Sequence, residues 1–283
     1  MADKFYTKLF GKVIEPYLDY FENLKIQMKR ARMDYKIKDF LSLLIFFSFI
    51  SFSIVMIVAS FFLTIITQYG LYAYTFSIII AILAAVGTFF AGYYYPNMKG
   101  AGIRKKIERE LPFTTIHMAT TASSGIPPVE VFKIISLKKG EIGKECERIY
   151  RNVRMLGMDL PSSIAKAANA SASARFAELL WGMLSIITRG GDMEEYLNSK
   201  AKEFMGMYRR ILEDYSNQVT FYTEIYITLI IVGTLFFIIL TSIMSPMGGG
   251  SILLIQTFLI FFFTPMVSVG FLVLLKNLSP VEA

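Results

Sequence analysis

The sequence predicts an all-α membrane protein with four transmembrane helices and a cytoplasmic antiparallel helical bundle inserted between spans 2 and 3. Two stretches carry no Asp, Glu, Lys or Arg, namely Phe40–Met98 and Ile225–Leu275. A membrane helix needs roughly 20 apolar residues, so each stretch fits two helices and a short turn. The charged segment between them carries apolar residues at helical spacing and shows no alternating strand pattern. With 54% hydrophobic residues and a mean hydropathy of +0.51, an ordinary soluble enzyme is excluded.

The distribution of charge predicts the orientation of these helices. Residues 1–39 hold 9 Lys and Arg against 6 Asp and Glu, and residues 99–221 hold 19 against 14. The two candidate turns, Gln68–Leu71 and Ser245–Gly250, carry no charge. Because positively charged loops stay in the cytoplasm, we expect a multi-pass protein of the cytoplasmic membrane. Both termini and the middle segment then face the cytoplasm, and both turns face outside.

The expected organisation follows the chain. Residues 1–39 form a basic amphipathic helix, residues 40–95 the first two spans, residues 96–220 the helical bundle, residues 221–275 the last two spans and residues 276–283 a cytoplasmic tail. The predicted spans are Phe40–Thr67, Leu71–Tyr95, Phe221–Met244 and Ser251–Leu275. Pro96 is expected to end the second helix, since proline removes a backbone donor and clashes with the preceding turn.

Within the predicted bundle, apolar residues recur at positions i, i+3, i+4 and i+7, which indicates helices that bury one face. Three such stripes are Ile103, Ile107, Leu111 and Met118; Ile142, Cys146, Ile149, Tyr150, Val153 and Leu156; and Phe176, Leu179, Leu180, Met183, Leu184 and Ile187. A fourth stripe runs from Met193 to Tyr215. Breaks with glycine, proline and aspartate separate them, and Asp159 and Asp192 are expected to cap the helices that follow. Pro128 suits a first helical turn. These signals predict five or six antiparallel helices.

Two surface features outside the bundle are candidates for binding. A basic cluster precedes the first span and is expected to rest on anionic lipid headgroups, although a docking surface for a cytoplasmic partner is compatible with it. Its members are Lys25, Lys29, Arg30, Arg32, Lys36 and Lys38. On the second span, Ala84, Gly87 and Ala91 form a small-residue face where another helix can approach closely.

Residues suited to catalysis are sparse. His117 and Cys146 are the single histidine and cysteine, and neither has neighbours at metal-ligand spacing. We therefore expect no catalytic residue, no metal and no cofactor. The middle segment mixes both signs of charge along its helices, which argues against a nucleic-acid surface. A small transporter or channel subunit is the alternative function, but its spans offer no ionisable lining. A membrane-anchored scaffold is a third.

Three motifs carry a family resemblance. Glu110-Leu111-Pro112 opens the bundle, Ala119–Pro128 is a small-residue helix that ends in Gly-x-Pro, and Ile186–Asp192 is a second glycine-rich turn. In this order and topology the chain resembles the type II secretion system F family, the inner-membrane platform proteins of secretion systems, type IV pili and archaella. Many relatives carry two copies of the bundle, whereas this chain has one and is similar to the short tight-adherence-type members.

The resemblance implies a function and its partners. Platform proteins of this family are not enzymes, and they couple a hexameric cytoplasmic ATPase to the extraction and assembly of pilin-like subunits. A single-copy member is expected to pair with itself or with a sister subunit. Exposed turns of the bundle are candidate ATPase-docking or positioning elements, and each is equally well explained as a helix cap. Their residues are Gly125, Pro127, Pro128, Arg189, Gly190, Gly191, Asp192 and Glu194.

Overall fold

In the computed structural model, the chain folds into helices joined by short connections. The structure describes residues 14–15, 18, 21–33, 35–67, 70–248, 254 and 257–278, and this part of the chain contains no β-strand. Two compact units are present, Met1–Ala201 and Lys202–Ala283. The predicted N-terminal helix is described in part, because residues 1–13 lie outside the described residues.

The first unit contains seven complete helices among its described residues. They are α1 (Glu22–Arg30), α2 (Ile37–Thr67), α3 (Gly70–Ala122), α4 (Pro128–Ser136), α5 (Glu141–Arg154), α6 (Leu160–Ala170) and α7 (Ala174–Arg189). Helix α8 (Met193–Tyr226) begins in the first unit and ends in the second. The second unit continues with a π-helical stretch (Ile227–Val232), α9 (Gly233–Gly248), a second π-helical stretch (Leu259–Phe263) and α10 (Thr264–Leu278).

Three helical segments are long and apolar enough to cross a membrane, so the chain is a membrane protein. Within the described residues they are Ile37–Ile65, Tyr74–Ala122 and Met193–Met244, and they overlap most of the first two predicted spans and contain the third. The segment Ile260–Lys276 is apolar but shorter. It overlaps the fourth predicted span, whose first residues fall outside the described residues. The four-span topology therefore stays a prediction.

Helix α3 is continuous over 53 residues, with Pro96 and Pro112 inside it. The prediction that Pro96 ends the second helix is therefore wrong. Packing on both sides of the proline accounts for the difference. Before Pro96 in the chain, the ring centroids of Tyr93 and Phe21 lie 6.1 Å apart. After Pro96, the backbone at the end of α1 lies against Gly100. At 1.5 Å per residue the helix is roughly 80 Å long, more than twice the ~30 Å of a hydrocarbon core.

The apolar halves of α2 and α3 pack as an antiparallel hairpin. The hydroxyl of Ser48 donates to the Ala85 carbonyl at 2.7 Å, and the hydroxyl groups of Thr88 and Ser51 lie 3.0 Å apart. The side chain of Leu44 covers Gly92 so closely that it leaves no room for a Cβ there. Small residues therefore do mediate helix packing in this hairpin.

The small-residue face predicted for the second span lies one position away from the face that α3 packs against α2. Of the predicted residues, Ala84 is half-buried, whereas Gly87 and Ala91 are exposed, and a Cβ on Gly87 would meet open space. Helix α3 instead buries Ser77 and Ala81 completely or nearly so. Gly87 and Ala91 are therefore not part of the packing between α2 and α3, and their role in packing another helix stays a prediction.

The end of α3, helices α4 to α7 and the first residues of α8, up to Ala201, form a helical domain around one apolar core. Consecutive helices are antiparallel, as their polar contacts show. Arg154 of α5 bonds Glu130 of α4 at 2.8 Å, Ser163 of α6 donates to the Ile149 carbonyl of α5 at 3.2 Å, and α8 returns along α7. The buried residues confirm the first three predicted stripes: Ile107, Leu111, Met118, Ile142, Cys146, Ile149, Phe176, Leu179, Leu180 and Met183 are at most 2% exposed. In the fourth stripe, Leu197 and Phe204 are at most 2% exposed, but Ile211 and Leu212 are 44% and 37% exposed, so the prediction is wrong for these two residues.

The predicted helix signals are confirmed. The carboxylate of Asp159 accepts the Ser162 N–H at 2.9 Å at the start of α6. Asp192 accepts the N–H groups of Glu194 and Glu195 at 2.8 and 3.2 Å. Pro128 is the first residue of α4. Backbone donors at these helix ends have no partner within the helix, so the side chains stabilise them.

Helix α5 obtains its N-terminal cap from a distant helix. Gly140 precedes it and supplies no side chain, and the N–H groups of Glu141 and Ile142 donate to the two carboxylate oxygens of Glu110 at 3.0 Å each. Gly140 has φ +151° and ψ 176°, a region open essentially to glycine alone. A Cβ on Gly140 would also collide with the Glu110 carboxylate. The Glu110 of the Glu-Leu-Pro motif thus joins α3 to α5.

We expect Gly140→Ala to destabilise the protein by about 2 kcal/mol or more, because it adds backbone strain and displaces the Glu110 cap. The control is Gly157→Ala. Gly157 also has positive φ, at +64°, but open space around it, so about 1 kcal/mol is expected. Thermal unfolding of the detergent-solubilised protein, followed by helical circular dichroism, measures both. Equal shifts in Tm would contradict the capping role of Glu110.

Candidate functional site

Three connections of the helical domain lie at one end. Because consecutive helices are antiparallel, the connections α3–α4, α5–α6 and α7–α8 share an end, and α4–α5 and α6–α7 lie at the other. The bond of Lys200 to Glu178 at 2.6 Å shows the antiparallel pairing of α7 with α8. We call residues 123–127, 155–159 and 190–192 together the turn end.

The turn end brings both predicted docking turns together. Gly125 and Gly190 have φ of +71° and +76°. Gly190 directly follows the last residue of α7, and Gly125 lies in the turn after α3. Glycine in this left-handed conformation is common after the end of a helix, which agrees with the interpretation of both turns as helix ends. All of the predicted turn residues are exposed except Pro128, which is half-buried: Gly125, Pro127, Arg189, Gly190, Gly191, Asp192 and Glu194. Their role in docking stays a prediction.

Two further residues of the turn end were missed from the sequence. Met155 and Leu156 are 76% and 66% exposed, although Leu156 was assigned to the buried stripe of α5. The helix ends at Arg154, so the helical period no longer applies to Leu156. These two exposed apolar side chains lie between the charged residues Arg154 and Asp159.

A charge cluster occupies the opposite end of α5. It consists of Arg32, Glu141, Lys144, Glu145 and Arg148. The guanidinium of Arg32 donates to Glu145 Oε1 at 2.8 Å and to the Glu141 carbonyl at 3.2 Å, and it also pairs with the Glu141 carboxylate. The side chains of Arg32 and Glu145 are 12% and 5% exposed. Lys144 and Arg148 pair with the same two glutamates from the solvent side.

This geometry corrects one assignment in the basic cluster. Arg32 does not face lipid, because its side chain is directed into the helical domain. There it joins the segment between α1 and α2 to the start of α5. Lys38 is half-buried and pairs with Glu15 at 2.6 Å. The remaining members are exposed, namely Lys25, Lys29, Arg30 and Lys36. Their contact with lipid stays a prediction.

Charge pairing sets the ionisation of Glu141. Burial raises the pKa of Glu141, but the hydrogen bond from Lys144 and the charges of Arg32 and Lys144 outweigh it, so its pKa lies below the ordinary value. The carboxylate is therefore charged at neutral pH and holds Arg32 in place. A buried pair of this kind is costly to break, since removing one partner leaves the other charge uncompensated.

The two residues considered for catalysis lie in different environments. Cys146 is fully buried, and burial raises the pKa of its thiol, which makes it an inert core residue. His117 is exposed on α3. Among the residues that the structure describes, no group of three His, Cys, Asp or Glu side chains is arranged to hold a metal ion.

Comparison with known proteins gives two matches. Residues 114–241 match the family model described as type II secretion system (T2SS), protein F. Over 125 residues the chain is 24% identical to an uncharacterized protein of Methanocaldococcus jannaschii, an alignment that covers 44% of this chain and 20% of that protein. The chain thus spans about a fifth of the length of this relative. No solved structure matches.

We expect Arg32→Met to destabilise the protein by about 3 kcal/mol, because Glu145 is left as a buried charge. Replacing both residues, in Arg32→Met/Glu145→Met, is expected to restore at least half of that loss. The control is Arg175→Met, since Arg175 is exposed and lies 3.8 Å from Glu108; a change below about 0.5 kcal/mol is expected. Chemical unfolding in detergent measures all three, and equal effects of the two single variants would contradict the account.

The lowered pKa of Glu141 predicts a pH dependence. A carboxyl whose folded pKa lies below its unfolded value contributes stability above the unfolded pKa, and that stability is lost as pH falls through the folded pKa. The wild-type protein is therefore expected to lose stability below about pH 4.5, the ordinary value, and Glu141→Gln to show a shallower loss. Unfolding curves between pH 3 and 7 test this, and parallel curves would refute it.

Proposed function

We propose that this chain, which belongs to the type II secretion system F family through its domain at residues 114–241, is the membrane platform of a pilus-like filament or secretion machine. In that role it couples a cytoplasmic hexameric ATPase to the extraction and assembly of pilin-like subunits. The observation that carries the proposal is the turn end. Three exposed connections and an exposed apolar pair gather at one end of the helical domain, at the far end of α3 from its apolar half.

The continuity of α3 supports a mechanical role. One helix contains both an apolar segment long enough to cross the membrane and the first helix of the domain. A displacement applied at the turn end would therefore reach the membrane without crossing a flexible linker. Rigid-body movement of packed helices is an established means of transmitting such a change. In this proposal the ATPase performs the chemistry, and the chain itself is neither an enzyme nor a cofactor carrier.

The remaining features fit a platform in the cytoplasmic membrane with four spans and both termini in the cytoplasm. The exposed Gly87 and Ala91 give a helix from outside the chain a face for close packing, and a pilin helix is the proposed occupant. A second copy or a sister subunit would complete the platform, since this chain carries one helical domain. The exposed basic residues before α2 would rest on anionic lipid.

We expect Leu156→Asp and Arg189→Glu each to weaken capture of the ATPase at least about tenfold, because residues central to an interface carry most of its binding energy. The measurement is affinity purification of the tagged full chain from its native membrane, with the captured ATPase and pilins quantified by mass spectrometry. Thermal stability is expected to stay unchanged, because both side chains are exposed.

Leu137→Asp is the matched control for this experiment. Leu137 is 80% exposed and lies in the α4–α5 connection, at the opposite end of the domain. Capture of the ATPase by this variant is expected to equal that of the wild type. An equal loss in all three variants, or no loss at Leu156 and Arg189, would refute docking at the turn end. Absence of any ATPase with the wild-type chain would refute the platform function itself.

A further inference from the structure

A small polar cavity lies where α1 meets α3, just beyond the apolar half of α3. Its volume is about 70 Å³, several times the minimum that one water needs. The polar residues that line it are Gln27 and Arg30 of α1 and Asn97 and Arg104 of α3. No Asp or Glu lines it. Two guanidinium groups and two carboxamides around one small cavity make a site for an anion with several acceptor oxygens.

The two arginines of the cavity differ from most others of the first unit. Arg32, Arg148, Arg154 and Arg175 each pair with a glutamate. Among the described residues, neither Arg30 nor Arg104 has a carboxylate within the 4.0 Å of an ion pair. Arg30 and Arg104 line the same cavity and are exposed, so their guanidinium groups can bind an anion from outside the chain.

The backbone carbonyls at the end of α1, beside the cavity, are partly occupied by hydrogen bonds within the chain. Gly100 is buried under the end of α1, and a Cβ there would lie 3.7–3.8 Å from atoms of Arg30 and Ala31. The closing carbonyls of α1 at Gln27 and Lys29 already accept bonds from Ala31 and Arg32. The negative end of the α1 dipole is thus largely satisfied and does not present these carbonyls to an incoming anion.

The position of the cavity along α3 identifies the source of the anion. The stretch without charged residues ends at Met98, and the cavity extends from Pro96 to Arg104. Tyr94, Tyr95 and Met98 are exposed on the same part of α3, where aromatic residues mark the edge of a bilayer. We propose that this cavity is a specific binding site for a phosphate group, supplied by the headgroup of an anionic phospholipid. The proposal does not depend on the platform function.

Native mass spectrometry of the full chain in detergent tests the proposal, with phosphatidylglycerol, phosphatidylcholine and inorganic phosphate as probes. We expect one phosphatidylglycerol to bind at least about tenfold more tightly than phosphatidylcholine, because charge-assisted hydrogen bonds favour the anionic headgroup. Arg30→Gln/Arg104→Gln is expected to abolish that preference. Lys138→Gln/Lys139→Gln removes the same charge from two exposed lysines of the α4–α5 connection, outside the cavity and outside the basic cluster, and is expected to keep it.

A second variant separates loss of the site from loss of the fold. Ala101→Leu fills the cavity without changing charge and is expected to abolish the preference as well, while thermal unfolding without lipid shows both proteins to be folded. Displacement of the lipid by millimolar inorganic phosphate would support the phosphate chemistry and identify a soluble phosphate as a competing source. Equal binding of both lipids by the wild type, or an equal loss in the lysine variant, would overturn the proposal.

Discussion

The continuity of α3 is the constraint on which the rest of the structure depends. Its 53 residues contain both the apolar segment that pairs with α2 and the first helix of the helical domain. Proline inside a helix costs ~3 kcal/mol or more, so Pro96 and Pro112 have to be offset by packing along the helix. Helix α1 packs on both sides of Pro96, and the bonds of Glu110 to the start of α5 lie two residues before Pro112. These contacts place the helical domain at a defined position on the apolar helix.

Polar contacts between distant parts of the chain concentrate at the end of α5 opposite the turn end. Glu110 caps α5, and Arg32 pairs with Glu141 and Glu145 across 109 and 113 positions of sequence. The arm before α2, helix α3 and the start of α5 are thereby joined in one polar network. At the turn end, by contrast, glycines with positive φ and local caps terminate the helices, and Met155 and Leu156 remain exposed. One end of the domain is thus fixed to the apolar helices, while the other presents a surface for a partner.

The sequence predicted what depends on local periodicity and capping, and failed where a distant partner decides. The buried stripes through Leu111, Cys146 and Phe176 and the caps at Asp159 and Asp192 follow from spacing within one helix, and the structure confirms them. Arg32 is predicted to face lipid because its neighbours in the sequence are basic. Its glutamate partners lie more than 100 positions away, so the local sequence does not reveal them. Pro96 continues a helix because α1 packs across it. Leu156 has the spacing of the buried stripe of α5, but α5 ends at Arg154, so Leu156 is exposed. Both candidate docking turns are correctly predicted to be helix ends. That they lie at the same end of the domain follows only from the antiparallel arrangement of the helices in the structure.

The most direct test of this account is the distance across both prolines of α3. Spin labels at Tyr95→Cys and Phe113→Cys report it by pulsed electron paramagnetic resonance, and both side chains are exposed whereas the native Cys146 is buried. The labels are 18 positions apart, five full helical turns, so they project from the same face and are separated by roughly 27 Å along a continuous helix. A single narrow distribution near that distance is the predicted result. A broad distribution, or one shorter by many ångströms, would show that the helix breaks at a proline and that the domain is not rigidly joined to the membrane.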